Sequence, residues 1–169
     1  MTTTMTSNMI AIKYKDWEFT ADVETTKTTY KNVSIASAEA SESIEGVNFA
    51  KQREKIYPQE IKDLFTSLGI DYKKETEVSH HKVLDDGQHV YTGWFHFKGD
   101  FSGPGYLDKQ KGDDKTFNIT PISDKFGIGF RRENFLTEFE DRSNLVQVEF
   151  ECLLPWILDV EFEDYNLLD

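Results

Sequence analysis

The segment spanning residues 78–101 constrains the fold more than any other part of this sequence. Two runs rich in β-branched and aromatic residues, 78–84 and 89–101, flank the dipeptide Asp86-Gly87. Asp-Gly tolerates the positive φ angles of a tight turn, so the pattern predicts a β-hairpin with Asp86 and Gly87 as its two-residue loop. Gly93, inside the second run, predicts either a bulge or a close approach of another chain segment.

This loop determines which side chains share a face, because antiparallel partners lie on the same side of a sheet. The aromatic-rich face is expected to point to the core and carries Val78, His80, Lys82, Leu84, His89, Tyr91, Phe95 and Phe97. The second face carries Ser79, His81, Val83, Val90, Thr92, Trp94, His96 and Lys98. One inserted residue would exchange the two faces beyond it.

Helix signals are clearest in residues 58–68. Pro58 suits a first helical turn, a stripe of apolar residues recurs at helical spacing, and Gly69 follows where a left-handed cap is needed. The stripe is formed by Ile61, Leu64, Phe65 and Leu68. Residues 48–57 predict a further short helix that ends before the proline.

Strand signals cover most of the remaining chain. Residues 10–20 predict a strand or a strand pair that turns at Lys15-Asp16, and further strands are expected at 116–122, 125–131 and 145–152. In the last of these, Gln147, Glu149 and Glu151 should face water. The Thr-, Ser- and Glu-rich residues 21–46 predict edge strands joined by a mobile loop, or a flexible insertion that orders on a partner.

These patterns predict an α+β fold in a single domain over residues 10–158. We expect a mainly antiparallel curved sheet of roughly six to eight strands, arranged as a meander, half-barrel or sandwich, with one principal helix packed on it. Residues 1–9 are expected to be disordered. The acidic tail, residues 159–169, is either loose or docks through Val160, Phe162 and Tyr165.

Charge and composition exclude several classes of function. The chain has 19 Lys and Arg against 31 Asp and Glu, a net charge of −12, which opposes binding to nucleic acid or to anionic membranes. Such acidity supports solubility or attraction to a basic protein partner. A single cysteine, Cys152, and the lack of a secretory signal predict a cytoplasmic protein with an inert core thiol.

No catalytic, cofactor or metal motif stands out in the sequence. Gly127-Ile128-Gly129 lacks the third glycine and the following helix of a dinucleotide loop. The four histidines lie close together in sequence, but the expected register separates His80 from His89, and His81 from His96, by roughly 13 Å along the sheet. We therefore expect no metal and no cofactor.

The second face of the hairpin is the best candidate for function. His81, Thr92, Trp94 and His96 form a possible contact patch there, although Trp94 would equally suit packing under a second layer. The first hypothesis is a non-catalytic binding or protein-interaction module that meets a protein partner or itself. The alternative is a small-molecule-binding protein or an enzyme with an aromatic cleft, in which His81 or His96 acts as acid or base. The sequence leaves open whether the protein is an enzyme.

Overall fold

A computed structural model describes residues 8–108 and 117–163 of the chain. In these ranges seven strands form one open antiparallel sheet with four helices packed on it. The strands are β1 (Met9–Tyr14), β2 (Trp17–Asp22), β3 (Glu77–Val83), β4 (His89–Ser102), β5 (Thr120–Ser123), β6 (Phe126–Arg131) and β7 (Leu145–Leu154). The helices are α1 (Val23–Lys31), α2 (Ser37–Ala40), α3 (Ile44–Ile56) and α4 (Gln59–Leu68).

The predicted α+β fold with a mainly antiparallel sheet is confirmed, and the sheet of the described residues is not closed into a barrel. The strand order is β1-β2-β4-β7-β6-β5, with β3 also paired to β4. It departs from a simple meander because β7 lies between β4 and β6. More helix is present than the single principal helix expected. No helix in the described ranges is long and apolar enough to span a membrane. Disorder was expected for residues 1–9. Residues 1–7 of that range lie outside the described ranges.

Strand β4 lies at the centre of the sheet and has different neighbours along its length. One side pairs with β7 from His89 to Lys98, while the other side pairs with β3 near its start and with β2 near its end. Helix α1 fills the gap between β3 and β2. The Tyr30 hydroxyl donates to the His96 carbonyl and accepts from the His96 N–H, both at 2.9 Å. Thr26 Oγ1 accepts from the Lys98 N–H at 3.0 Å.

Helix α1 corrects the prediction of edge strands and a mobile loop for residues 21–46. Asp22 caps the helix by accepting from the Thr25 N–H. Val23, Thr26 and Tyr30 recur at helical spacing and are all buried. Threonine favours strands only weakly, and burial of this stripe against β4 outweighs that preference.

The other two long helices agree better with the sequence. Helix α4 begins directly after Pro58, buries its predicted apolar stripe and ends at Gly69, whose φ is +88°. Helix α3 begins four residues earlier than the predicted 48–57, because Ser43 caps it by accepting from the Gly46 N–H. Both helices pack on the aromatic face of β4, where Phe49 contacts Tyr91 and Phe65 contacts Phe95.

The hairpin forms, but its predicted register is wrong. The loop has three residues, because the Leu84 N–H donates to the Gln88 carbonyl and Gly87 adopts a φ of +86°. Val83 consequently pairs with His89. A bulge at His81 then restores the parity of the residues before it, so within β3 only Lys82 and Val83 change faces.

Gly93 allows a close approach and is not the site of a bulge. A Cβ at this position would clash with the Glu77 carbonyl oxygen and would lie 2.7 Å from the Phe150 ring. Of the two readings of this glycine, the close approach is confirmed. Phe150 therefore packs directly against the backbone of β4.

Tyr57 lies at the centre of the core that the helices and the sheet enclose. Its ring contacts the rings of Phe65, Tyr72, Phe95, Phe126 and Phe150. Its hydroxyl has no hydrogen-bond partner among the described residues, and burial raises the pKa of this phenol well above its usual value. A buried hydroxyl without a partner costs stability.

Tyr30 and Tyr57 provide a matched test of this bonding pattern. Tyr30→Phe is expected to lower the free energy of unfolding by about 1–3 kcal/mol, because the His96 N–H and carbonyl lose their buried partner. Tyr57→Phe removes a hydroxyl that makes no bond and is expected to leave stability unchanged or slightly higher. Urea unfolding of both variants measures the difference. Equal losses in the two variants would contradict the role assigned to Tyr30.

Candidate functional site

The face of the sheet that points away from the helices, called here the outer face, holds the candidate site. Trp94 and Glu149 pair across β4 and β7, and His96 pairs with Gln147 beside them. Arg131 on β6 pairs with Gln147 in turn. Residues 132–144, which connect β6 to β7, cross this face, since the Phe135 N–H bonds Gln147 and the Phe135 carbonyl bonds Trp94.

The four residues singled out from the sequence lie on this face but in different surroundings. His81 is exposed, and its Nε2 lies 2.6 Å from Thr92 Oγ1. Trp94 is half-buried and donates from Nε1 to the Phe135 carbonyl at 2.9 Å. His96 is completely buried. The structure therefore brings His81 and Thr92 together, and places His96 beneath the outer face.

The predicted wet face of β7 needs correction. Gln147 is completely buried and Glu149 is 6% exposed, whereas Glu151 is exposed as expected. Alternation along β7 was identified correctly, but Phe135 of residues 132–144 bonds Gln147, and Glu149 lies between Gln147 and Arg131 of β6. The sequence pattern cannot reveal a covering loop that comes from a neighbouring connection.

A buried chain of hydrogen bonds runs beneath the outer face. Gln147 Nε2 donates to Glu149 at 2.6 Å, and Gln147 Oε1 accepts from the Phe135 N–H at 3.0 Å. His96 Nε2 lies 3.0 Å from the same Oε1 and must donate to it, because an amide oxygen only accepts. In the neutral ring Nδ1 is then an acceptor, and it faces Thr76 Oγ1 at 3.5 Å.

Burial determines the protonation of this chain. It lowers the pKa of His96 to about 4, so the ring is neutral at pH 7. Burial also raises the pKa of the Glu149 carboxyl, against the opposing effect of the Gln147 hydrogen bond and of Arg131. Glu138, which bonds Thr76, has its pKa raised by burial as well. This chain of hydrogen bonds is thus a structural support, and solvent does not reach it at His96.

Flat groups stack in a row above this chain and form what we call the aromatic ladder: Phe135, Arg131, Tyr106 and Phe117. The Arg131 guanidinium lies 5.1 Å from the Phe135 ring centre and 5.5 Å from that of Tyr106. Tyr106 stacks on Phe117 with ring centres 4.6 Å apart. Gly129 makes room, because a Cβ there would lie 2.9 Å from the Tyr106 ring.

The ladder exposes more apolar surface than any predicted site residue. Phe117 is 53% and Phe135 is 46% exposed. Leu107 and Leu136, which follow Tyr106 and Phe135 in the sequence, are 55% and 66% exposed. Sequence reasoning missed this surface. The available signals were the Gly127-Ile128-Gly129 alternation, which leaves the outer side of β6 bare, and apolar residues set among the charges of 132–144.

A second feature that the sequence misplaced is a pair of histidines on the aromatic face. His80 Nε2 lies 2.8 Å from His89 Nδ1, so the roughly 13 Å separation expected from the register was wrong. The three-residue loop and the His81 bulge cause this shift. Burial lowers the pKa of His89. Within the described residues no group of three His, Cys, Asp or Glu side chains is placed to hold a metal.

The start of the acidic tail packs against this histidine pair. The Phe162 ring lies 5.0 Å from that of His80, and Trp156 lies 5.1 Å from His89. Asn48 on α3 holds the segment by bonding the Pro155 carbonyl and the Ile157 N–H. Phe162 thus makes one of the expected contacts of the tail, while Val160 is exposed. Tyr165 lies outside the described residues.

The pKa of His96 predicts a pH dependence of stability. Its folded-state value of about 4 lies below the ordinary 6.5, so between these pH values the unfolded chain binds a proton that the folded chain excludes. The contribution of His96 to stability is therefore complete above pH 6.5 and falls as the pH drops to 4, by up to about 3 kcal/mol.

The raised pKa values of Glu138 and Glu149 act in the opposite direction, because these carboxyls take up protons more readily when folded. The measurement is thus the difference in unfolding free energy between the wild type and His96→Gln, followed by urea unfolding across this pH window. The unfolding free energy of the wild type, relative to that of His96→Gln, should decrease as the pH falls. A difference that stays constant across this window would show that folding does not lower the pKa of His96.

Comparison of the chain with models of protein families, with curated proteins and with solved structures gives no match. Neither a family nor a related fold therefore assigns a role to the outer face. The chemistry of its own residues, an exposed aromatic ladder above a buried neutral histidine, is what indicates function.

Proposed function

We propose that this protein is a non-catalytic protein-interaction module that binds its partner through the aromatic ladder on the outer face. The observation that carries the proposal is the exposure of Phe117 and Phe135, at 53% and 46%, at the two ends of one continuous row of contacts. Leu107 and Leu136, which follow Tyr106 and Phe135 in the sequence, are exposed as well. Exposed apolar side chains that cluster in this way mark interaction surfaces, whereas single ones do not.

The stacking geometry also suits a binding surface. Aromatic rings held by their neighbours lose little conformational entropy when a partner binds. Arg131 fixes the row between Phe135 and Tyr106, and the Trp94 indole fixes the backbone at Phe135. Aromatic and Arg side chains are the residues that most often dominate binding energy in interfaces.

The enzymatic alternative finds less support in the geometry. It requires His81 or His96 to act as acid or base in an aromatic cleft. His96 is completely buried and its Nε2 bonds Gln147, while His81 is exposed and bonds Thr92. Acid-base groups that act on one substrate must converge on it.

Charge indicates the class of partner. The chain carries a net charge of −12, and acidic residues lie on the same elements as the ladder. Glu133 and Glu140 belong to the same connection as Phe135, and Glu151 lies on the outer side of β7. We therefore propose that the surface binds a basic protein segment with apolar anchors. The Lys and Arg residues of that segment would be attracted by these acidic residues. A cytoplasmic encounter fits the single buried thiol of Cys152.

A randomised peptide library selected on the immobilised protein tests the proposal. The enriched peptides are expected to combine aromatic or aliphatic residues with Lys or Arg. Replacing both Phe135 and Leu136 by Ser should weaken their binding at least about tenfold, because anchors of this kind dominate interface energy. Binding measured by calorimetry should also weaken as salt is raised, since the attraction is electrostatic.

Ile35→Ser is the matched control. Ile35 is 55% exposed but lies between α1 and α2, away from the ladder, and its replacement should leave binding unchanged. Equal binding by the Phe135 and Leu136 variant would place the interaction elsewhere. Enrichment of peptides without basic residues would exclude the basic partner class.

A further inference from the structure

We propose that β1 is an open pairing edge on which β1 of a second copy of this chain docks, so that two sheets join antiparallel across a two-fold axis. This interface is separate from the aromatic ladder and does not depend on the function assigned to it. An edge strand presents unpaired N–H and carbonyl groups, which makes it a template for another strand unless it is protected.

Two of the three edges in this sheet are protected. Pro121 interrupts β5, which has only four residues and an irregular register with β6. The bulge at His81 disrupts β3, and the Val78 N–H near its start already donates to Ser37 Oγ. Proline, bulges and covering groups are the devices by which natural sheets avoid edge pairing.

Strand β1 carries neither a proline nor a bulge. All six of its residues pair with β2 in an unbroken register, and within the described ranges no strand lies on its other side. The beginning of β1 is apolar and exposed, since Met9 is 44% and Ile10 is 50% exposed. Ile10 and Ile12 have the parity of buried Ala21 and Phe19 on β2, so a strand added here would extend the aromatic core sideways.

The hairpin geometry indicates a register for this pairing. β1 and β2 are joined by the two-residue turn Lys15-Asp16, and the residues that flank such a turn exchange hydrogen bonds. Alternation along β1 then directs the backbone groups of Met9, Ala11 and Lys13 outward. Pairing centred on Ala11 sets it opposite Ala11 of the second copy.

The same register is chemically self-complementary, which favours a second copy as the occupant. Ile10 lies opposite Ile12 of the second copy, and β-branched pairs of this kind stabilise sheets. Lys13 lies opposite Met9 of the second copy, so like charges do not face each other. The strand contains no acidic residue, and Lys13 pairs with Glu18 on β2.

Whole-chain charge gives this interface a distinctive salt dependence. Two chains with a net charge of −12 repel each other at long range, and salt screens that repulsion. Self-association through β1 should therefore strengthen as salt is raised. Binding of a basic segment to the aromatic ladder should weaken under the same change, so the two proposals can fail independently.

Analytical ultracentrifugation of the full chain tests the association. The wild type is expected to form a dimer that tightens with salt, and Ile10→Lys should weaken it at least tenfold while the protein stays folded by circular dichroism. Ile10 is half exposed, and lysine is tolerated on edge strands. A wild type that stays monomeric at high protein and salt concentrations would overturn the proposal.

Cysteine cross-linking tests the register. With diamide as oxidant, two Ala11→Cys chains are expected to lose one thiol hydrogen each and form a disulfide, because directly paired residues have the Cα separation that a disulfide needs. Ser123→Cys, exposed on the protected β5 edge, is the control and should stay monomeric. The native Cys152 is buried and should not compete. Equal cross-linking of the two variants would exclude specific pairing at β1.

Discussion

The structure depends on satisfying the backbone hydrogen bonds of β4, the strand that crosses the middle of the sheet. Buried N–H and carbonyl groups need partners, and β4 finds them on one side along β7. On the other side β3 and β2 each cover only part of it, and the side chains of Tyr30 and Thr26 bond the residues between them. Helix α1 is therefore fixed to the sheet by specific bonds as well as by apolar contact.

Alternation along β4 and β7 separates the molecule into two chemically different faces. One face is a continuous aromatic core around Tyr57, in which Phe95 and Phe150 meet the helices. The other face carries the buried polar chain of His96, Gln147 and Glu149. This division lets the core be made rigid by packing while the opposite face presents aromatic side chains to solvent.

Local signals in the sequence were sufficient to predict features that depend on a residue's own backbone conformation or on its position along a strand. Gly69 ended α4 in a left-handed conformation, and the alternation of β7 correctly identified its two faces. Signals failed where tertiary contacts decide the outcome. The threonines of α1 resemble a strand until Thr26 and Tyr30 are seen to bond β4. One extra residue in the hairpin loop and the bulge at His81 together bring His80 against His89.

In the candidate site, too, local patterns were sufficient for single strands and failed where separate segments meet. Parity placed Thr92 and Trp94 on one face of the hairpin, and the structure has them there. The aromatic ladder could not be read from any single segment, because Tyr106 and Phe135 come from two different connections that both contact Arg131 on β6. Its assembly depends on contacts between parts of the chain that no local pattern links.

The bond between Tyr30 and His96 spans 66 positions in the sequence, and β4 also needs β7, which ends at Leu154. During synthesis on the ribosome, the central strand would emerge long before its C-terminal neighbour. The sheet can be completed only after β7 has left the exit tunnel. Until then the aromatic side chains of β4 are without their final cover, and transiently exposed apolar surface of this kind makes a partly folded chain prone to aggregation.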